Sequence, residues 1–118
     1  MRDVAIIGIG QIPVGEHWDS SLRMLAAEAT QLALEDAGIE QIDALYVGNA
    51  YGGTVSSQTQ LGALIADYAG LSNVEAYTTE AAEASGAAAL RTALRSDAAS
   101  GRRTTRRLPG RRSPRWTP

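Results

Sequence analysis

The chain has 118 residues, of which 44% are hydrophobic and 20% charged, enough for one domain with a modest core. It contains no cysteine and a single histidine, His17, which excludes disulfides, cysteine-based metal sites, thiol catalysis and a multi-histidine metal site in this chain. Its apolar runs, such as residues 4–7, are too short to cross a bilayer, and no secretory signal pattern is present. We therefore expect a cytoplasmic protein that binds no metal and no membrane.

Charge divides the chain into two parts. Residues 1–97 carry all 13 acidic side chains and four of the arginines, whereas residues 98–118 carry seven arginines and no acid. The second part also shows no helical or strand period and has too few apolar residues to bury a core. We therefore predict a folded domain over residues 1–97 and a disordered basic tail over residues 98–118.

The first half of the chain predicts a strand, a helix and a second strand. Residues 4–9 form a β-branched run that is typical of a strand buried on both faces. A helix follows, with candidate caps at residues 19–21 and a terminating Gly38. Apolar side chains recur on one face of this helix: Leu22, Leu25, Ala26, Ala29, Leu32 and Ala33. Residues 42–47 predict the second strand.

The second half repeats this alternation. After a small-residue loop over residues 50–57, a second helix is predicted to end at Gly70, and its apolar stripe is Leu61, Leu64, Ile65, Tyr68 and Leu71. Residues 74–79 predict a third strand, and residues 81–95 an alanine-rich helix. The order β-α-β-α-β-α predicts an α/β fold with a parallel sheet and right-handed crossovers.

Two local features invite a functional interpretation that the rest of the pattern disfavours. Gly8 and Gly10 follow a predicted strand, but Pro13 stands where a dinucleotide-binding turn needs its third glycine. His17 has no catalytic partner in the sequence, so we interpret it as a loop-packing or surface residue rather than a general base.

The segment of residues 80–91 carries the strongest functional signal. A predicted strand ends, a turn of small residues follows, and a helix begins. A side chain at such a helix N-terminus lies beside free backbone N–H groups, which stabilise an anion and activate a nucleophile. The small neighbours leave room for an extended substrate.

Several motifs, in the right order, resemble the N-terminal part of thiolases, in particular the sterol-carrier-protein-type and archaeal acetyl-CoA acetyltransferase branch. They lie at residues 4–15, 34–39, 42–49, 61–66 and 80–90, and together they span about four-fifths of the chain. The last of them matches the thiolase nucleophile turn, whose pattern is Glu-Ala-Ala-Cys-Ala-Ser-Gly. The predicted fold is therefore a partial thiolase-like N-terminal domain.

The resemblance implies acyl transfer between coenzyme A thioesters, with a cysteine that takes the acyl group. It implies no bound cofactor, acyl-CoA as substrate, a role in lipid metabolism, and a homodimer or a full-length thiolase partner. By position, the nucleophile residue is Glu83, and the substrate-binding candidates are Asn49, Ala84, Ser85 and Gly86.

Two departures lead us to expect that the chain alone is inactive. Glu83 replaces the nucleophilic cysteine, and a glutamate there also has a simpler interpretation, since a carboxylate stabilises the positive end of a helix by about 0.3–1 kcal/mol. The family's C-terminal half, which supplies the histidine and the second cysteine, has no counterpart in the sequence. An arginine-rich tail without lysine is typical of a frame-shifted reading, and this predicts a truncated product.

Two other function classes stay open at this point. A non-catalytic thiolase-like subunit would bind acyl-CoA or a full-length homologue through an open sheet edge. The arginines of residues 98–118 could also neutralise nucleic-acid phosphates, although the acidic body disfavours that partner.

Overall fold

The computed structural model describes residues 3–100, and over this range it confirms a mixed α/β fold with a parallel sheet. The elements follow in the order α1 (Leu22–Ala37), β1 (Ala44–Gly48), α2 (Gly52–Val55), α3 (Leu61–Tyr68), β2 (Glu75–Thr79) and α4 (Ser85–Ser100). Across these residues no helix combines the length and the apolarity that crossing a bilayer requires.

Helix α1 begins and ends where its sequence predicts. Ser21 is the N-cap, and its hydroxyl accepts a hydrogen bond from the Met24 N–H at 3.3 Å. Gly38 follows the helix in the left-handed conformation at φ 66°, and its N–H donates to the Glu35 carbonyl at 3.1 Å. Both ends of the helix therefore satisfy backbone groups that would otherwise lack partners.

Helices α3 and α4 cover opposite faces of the sheet. β1 and β2 pair in parallel, so that Tyr46 lies opposite Tyr77, and the two rings stack with centroids 5.5 Å apart. The Tyr46 hydroxyl donates to Ser96 of α4 at 2.8 Å, whereas Thr78 accepts the Gly62 N–H of α3 at 2.9 Å. Because neighbouring residues of a strand point to opposite faces, α4 lies on the tyrosine face and α3 on the other.

The core is small and is centred on α3. Its buried hydrophobic side chains come from three helices: Leu34, Leu61, Ile65, Ala66 and Ala89. α1 packs on α3, and α3 in turn packs on both strands. Within residues 3–100 the domain is thus layered as α1, α3, the sheet and α4.

The prediction of a first strand is wrong, because residues 4–9 form neither a strand nor a helix. They lie against α1, where the Ile9 N–H donates to the Asp36 carboxylate at 2.8 Å. Gly8 and Gly10 approach the α1 backbone so closely that a Cβ on Gly8 would stand 2.6 Å from the Ala33 oxygen. A β-branched run forms a strand only where a neighbouring strand accepts its hydrogen bonds, and here the sheet consists of β1 and β2.

Two other boundaries differ from the sequence prediction. The loop predicted over residues 50–57 contains α2, and the last helix occupies Ser85–Ser100 rather than residues 81–95. Residues 98–100 are therefore helical, while the rest of the predicted basic tail, residues 101–118, lies outside the described residues. The nucleic-acid alternative depends on those residues and stays a prediction.

Gly62 allows α3 to pack so closely on β2 that the backbones of the two elements are in contact. A Cβ built on Gly62 would lie 2.7–2.8 Å from the backbone atoms of Tyr77. Since backbone atoms cannot rotate away as a flexible side chain can, a larger residue here would push the helix off the sheet.

We expect Gly62→Ala to lower the free energy of unfolding by about 1–3 kcal/mol, because the added methyl overlaps the β2 backbone. Urea denaturation of the full chain measures this change. Gly86→Ala is the matched control, because Gly86 is also the second residue of a helix but has no atom within 4 Å of a built Cβ. That variant should gain about 0.5–1 kcal/mol from helix propensity. Equal losses in the two variants would contradict the packing argument.

Candidate functional site

The candidate site lies at the carboxyl edge of the sheet, where β1 and β2 end. The two strand ends are joined by a hydrogen bond from the Asn49 N–H to the Thr79 carbonyl at 3.3 Å. In open α/β sheets this edge is where ligands bind, because loops there converge with helix N-termini. The site is built from the loop after β1 and the turn between β2 and α4.

Gly48 brings the N-terminus of α4 against the end of β1. A Cβ on Gly48 would lie 2.6 Å from the Ser85 carbonyl carbon and 2.9 Å from the Gly86 Cα. The first turn of α4 therefore touches the sheet edge directly. At this end the Ala84 N–H donates to the Ala81 carbonyl at 2.9 Å, and the Ser85 N–H donates to the Ala82 carbonyl at 3.1 Å.

Ser85 holds that turn together. It is 3% exposed, and its hydroxyl accepts the Ala81 N–H at 2.9 Å and donates to the Ala82 carbonyl at 2.6 Å. Ala82 adopts a left-handed conformation at φ 47°, which costs a residue with a Cβ about 1–2 kcal/mol. The hydrogen bonds of this buried hydroxyl thus maintain a strained turn, and the Ser85 hydroxyl predicted to bind substrate is already engaged in them.

Glu83 projects from the turn into solvent. Its Oε1 accepts a hydrogen bond from the Tyr51 hydroxyl at 3.2 Å. Ala84 and Gly86, which follow it in the chain, are exposed small residues. Of the predicted site residues, those that follow Glu83 in the chain share this turn, whereas Asn49 lies in the loop after β1.

Asn49 organises the loop after β1, and its side-chain hydrogen bonds stay within that loop. Its side-chain oxygen accepts the Gly52 N–H at 2.6 Å and the Tyr51 N–H at 3.2 Å. These bonds fix the start of α2 and with it the position of Tyr51. Tyr51 was not among the site residues predicted from the sequence. The feature that could have indicated it is an aromatic hydroxyl in the loop that follows β1.

The two disfavoured motifs have structural roles. His17 donates from Nε2 to the Pro13 carbonyl at 2.8 Å, a contact within its own loop. Gly8 and Gly10 pack on α1 rather than opening a phosphate site. Among the residues that the structure describes, no group of three His, Cys, Asp or Glu side chains could hold a metal ion.

Comparison with known proteins agrees with the resemblance drawn from the motifs. The chain is 48% identical over 96 residues to an acetyl-CoA acetyltransferase of Methanothermobacter thermautotrophicus, a match over 80% of this chain and 25% of the relative. It is 49% identical over 96 residues to an acetyl-CoA acetyltransferase of Methanocaldococcus jannaschii, over 80% of this chain and 24% of the relative. It thus spans about a quarter of the length of these curated relatives. No family model matches the chain.

We expect Ser85→Ala to lower the free energy of unfolding by about 1–3 kcal/mol, because the two hydrogen bonds of a buried hydroxyl are lost. Chemical denaturation measures the loss. Ser56→Ala removes an exposed hydroxyl and should change stability by no more than about 0.5 kcal/mol. A Ser85→Ala variant as stable as this control would show that the hydroxyl does not maintain the turn.

Proposed function

We infer from the two archaeal relatives that this chain belongs to the thiolase family over four-fifths of its length, and we propose that it binds acyl-coenzyme A thioesters at the carboxyl edge of its sheet. The proposal assigns the acyl group to the turn around Glu83, with Ala84 and Gly86 beside it. It assigns no covalent acyl transfer to this chain, since the chain has no cysteine.

The observation that carries the proposal is the strained turn at the start of α4. Ser85 holds the turn with two hydrogen bonds, and Gly48 seats the first turn of the helix on the sheet edge. Backbone N–H groups at a helix terminus stabilise the partial negative charge of a thioester carbonyl. Since the Ala84 and Ser85 N–H groups already donate to carbonyls of the turn, the helix terminus suits a thioester mainly through its dipole.

The side chain at residue 83 is the reason why we propose no covalent acyl transfer for this chain. A carboxylate that attacked a thioester would form a mixed anhydride, which water destroys far more readily than a thioester. A thiolate at the same helix terminus would be both more nucleophilic and easier to form, because the helix dipole lowers the pKa of a thiol. The replacement thus removes the covalent step and leaves the binding surface.

We expect Glu83→Cys to be acetylated by acetyl-CoA at least about tenfold faster than a cysteine placed elsewhere, because the helix terminus favours the thiolate. Mass spectrometry of the full chain measures the rate without interference, since the native sequence has no other cysteine. Ser56→Cys, an exposed position on the loop after α2, is the control. Equal rates in the two variants would show that the turn does not activate a nucleophile.

Exposed isoleucines favour a second candidate function, docking of a thiolase-like partner or of a second copy. Ile6, Ile7 and Ile9 are 71%, 62% and 75% exposed, although they belong to a run of the kind that sheets normally bury. Neighbouring apolar side chains at this level of exposure are typical of an interaction surface. This candidate is compatible with acyl-CoA binding and does not require it.

We expect Ile7→Glu to shift the chain toward the monomer in analytical ultracentrifugation across a concentration series, because a charge would have to be buried at the contact. Val55→Glu places the same charge on α2, where the side chain is 79% exposed, and should leave the distribution unchanged. A native chain that is monomeric at every concentration would count against self-docking, and mixing with an archaeal relative would then test the heterologous pair.

A further inference from the structure

Helix α4 leaves one face uncovered within the part of the chain that the structure describes. Its other face packs on β1 and β2. The uncovered face consists of exposed residues that recur at helical spacing: Ala84, Ala87, Leu90, Arg91, Leu94 and Arg95. Leu90 is 51% exposed, and it lies one turn before Leu94. Two large apolar side chains on an exposed helix face indicate a surface that another helix can cover.

A groove on this face gives it a shape that is complementary to itself. The groove has a volume of about 490 Å³, and its lining consists of three alanines, a threonine and two arginines: Ala84, Ala87, Ala88, Thr92, Arg91 and Arg95. The alanines precede the two exposed leucines along the chain, so the depression and the projections lie at different heights on the helix. An antiparallel copy of the helix therefore places its leucines over the alanines.

The charges along this face are also separated. Glu80 and Glu83 are exposed and precede the helix, whereas Arg91 and Arg95 are exposed on it. A parallel pair of these helices would bring like charges together, which is unfavourable. An antiparallel pair brings the acidic end of each copy beside the arginines of the other. A surface that is complementary to itself in this way is what a contact with two-fold symmetry requires.

We propose that two copies of this chain associate by antiparallel packing of their α4 helices. With the two-fold axis between residues 88 and 89, Ala87 of one copy lies opposite Leu90 of the other, and Glu83 lies beside Arg95. Alanine at the contact allows the helix axes to approach to about 8 Å, the short end of the usual range. The contact requires neither acyl-CoA binding nor the exposed isoleucines of residues 4–9, which lie against α1.

Residues 101–118 of the chain are a less suitable occupant of this face. They carry seven arginines and no acidic side chain, and the face itself carries Arg91 and Arg95. Because like charges repel, a cationic segment is disfavoured there. A second copy instead brings Glu80 and Glu83 to the two arginines, so the charge pattern favours a second copy as the occupant.

Analytical ultracentrifugation of the full chain across a concentration series tests the association. We expect a dimer, and we expect Leu94→Glu to raise its dissociation constant at least about tenfold, because a carboxylate at this position would lie opposite Glu83 of the second copy. Leu32→Glu is the matched control, since Leu32 and Leu94 are both 38% exposed on helices of 16 residues. It should leave the dissociation constant unchanged. A native chain that is monomeric at every concentration, or an equal loss in both variants, would overturn the proposal.

Disulfide crosslinking of the full chain measures the orientation of the two helices. The native sequence has no cysteine, so each variant contains one thiol. In Ala87→Cys the two thiol positions lie about 4.5 Å apart along the helix axis, and we expect a crosslinked dimer on mild oxidation. In Ala84→Cys they lie about 13.5 Å apart, beyond the reach of about 7 Å that a disulfide allows, and we expect no crosslink. Equal crosslinking of the two variants would indicate a parallel pair and would contradict the proposal.

Reversal of the charges tests whether the acidic and basic ends pair. One double variant combines Glu80→Arg with Glu83→Arg, and the other combines Arg91→Glu with Arg95→Glu. Each alone should self-associate at least about tenfold more weakly than the native chain, because like charges then meet at both ends of the contact. An equimolar mixture should form the dimer again, since every acidic end faces a basic one. A mixture that stays monomeric would overturn the antiparallel pairing.

Two further measurements separate this inference from the proposed function. Acetyl-CoA binding, measured by calorimetry on a chain that stays monomeric, would leave the proposed function standing and overturn the α4 contact. A dimer that is lost in Ile7→Glu but persists in Leu94→Glu would assign self-association to the isoleucines and would likewise overturn it. Circular dichroism of each variant reports whether the fold is retained.

Discussion

Backbone-to-backbone contact at glycine is the constraint on which the rest of this fold depends. The described sheet has two strands, so each helix has little surface on which to pack. Gly62 lets α3 touch β2, and Gly48 lets the start of α4 touch the end of β1. Close approach increases the dispersion contacts that a small core can make. It also fixes where α4 begins, and therefore where the turn before it lies.

That placement also determines the surroundings of residue 83. The helix dipole and the hydrogen bonds of the turn belong to the backbone and to a buried hydroxyl, and none of them depends on the side chain at residue 83. The helix dipole would lower the pKa of a thiol there, and it also interacts favourably with the carboxylate of Glu83. The geometry of turn and helix that Gly48 and Ser85 maintain is thus independent of the exposed side chain at residue 83.

Sequence reasoning predicted the features that depend on local signals. The cap at Ser21 and the stop at Gly38 locate α1, and the turn signature locates Glu83 beside a helix terminus. It failed where the outcome depends on distant contacts. Residues 4–9 have strand composition, yet a strand also needs a hydrogen-bonded neighbour, and composition cannot supply one. Tyr51 was missed for the same reason, since only the folded chain brings it to a residue 32 positions away.

The stacked tyrosines have a consequence for the register of the sheet. Tyr46 and Tyr77 can face each other, and Tyr46 can reach Ser96, only when Ala44 pairs with Glu75. A slip of one residue would turn one ring to the opposite face, break the bond to α4 and present Tyr77 to α3. A two-stranded parallel sheet has few ladder bonds to resist such slippage. The stacked rings and the hydrogen bond from Tyr46 to Ser96 of α4 therefore stabilise the observed register relative to misaligned pairings.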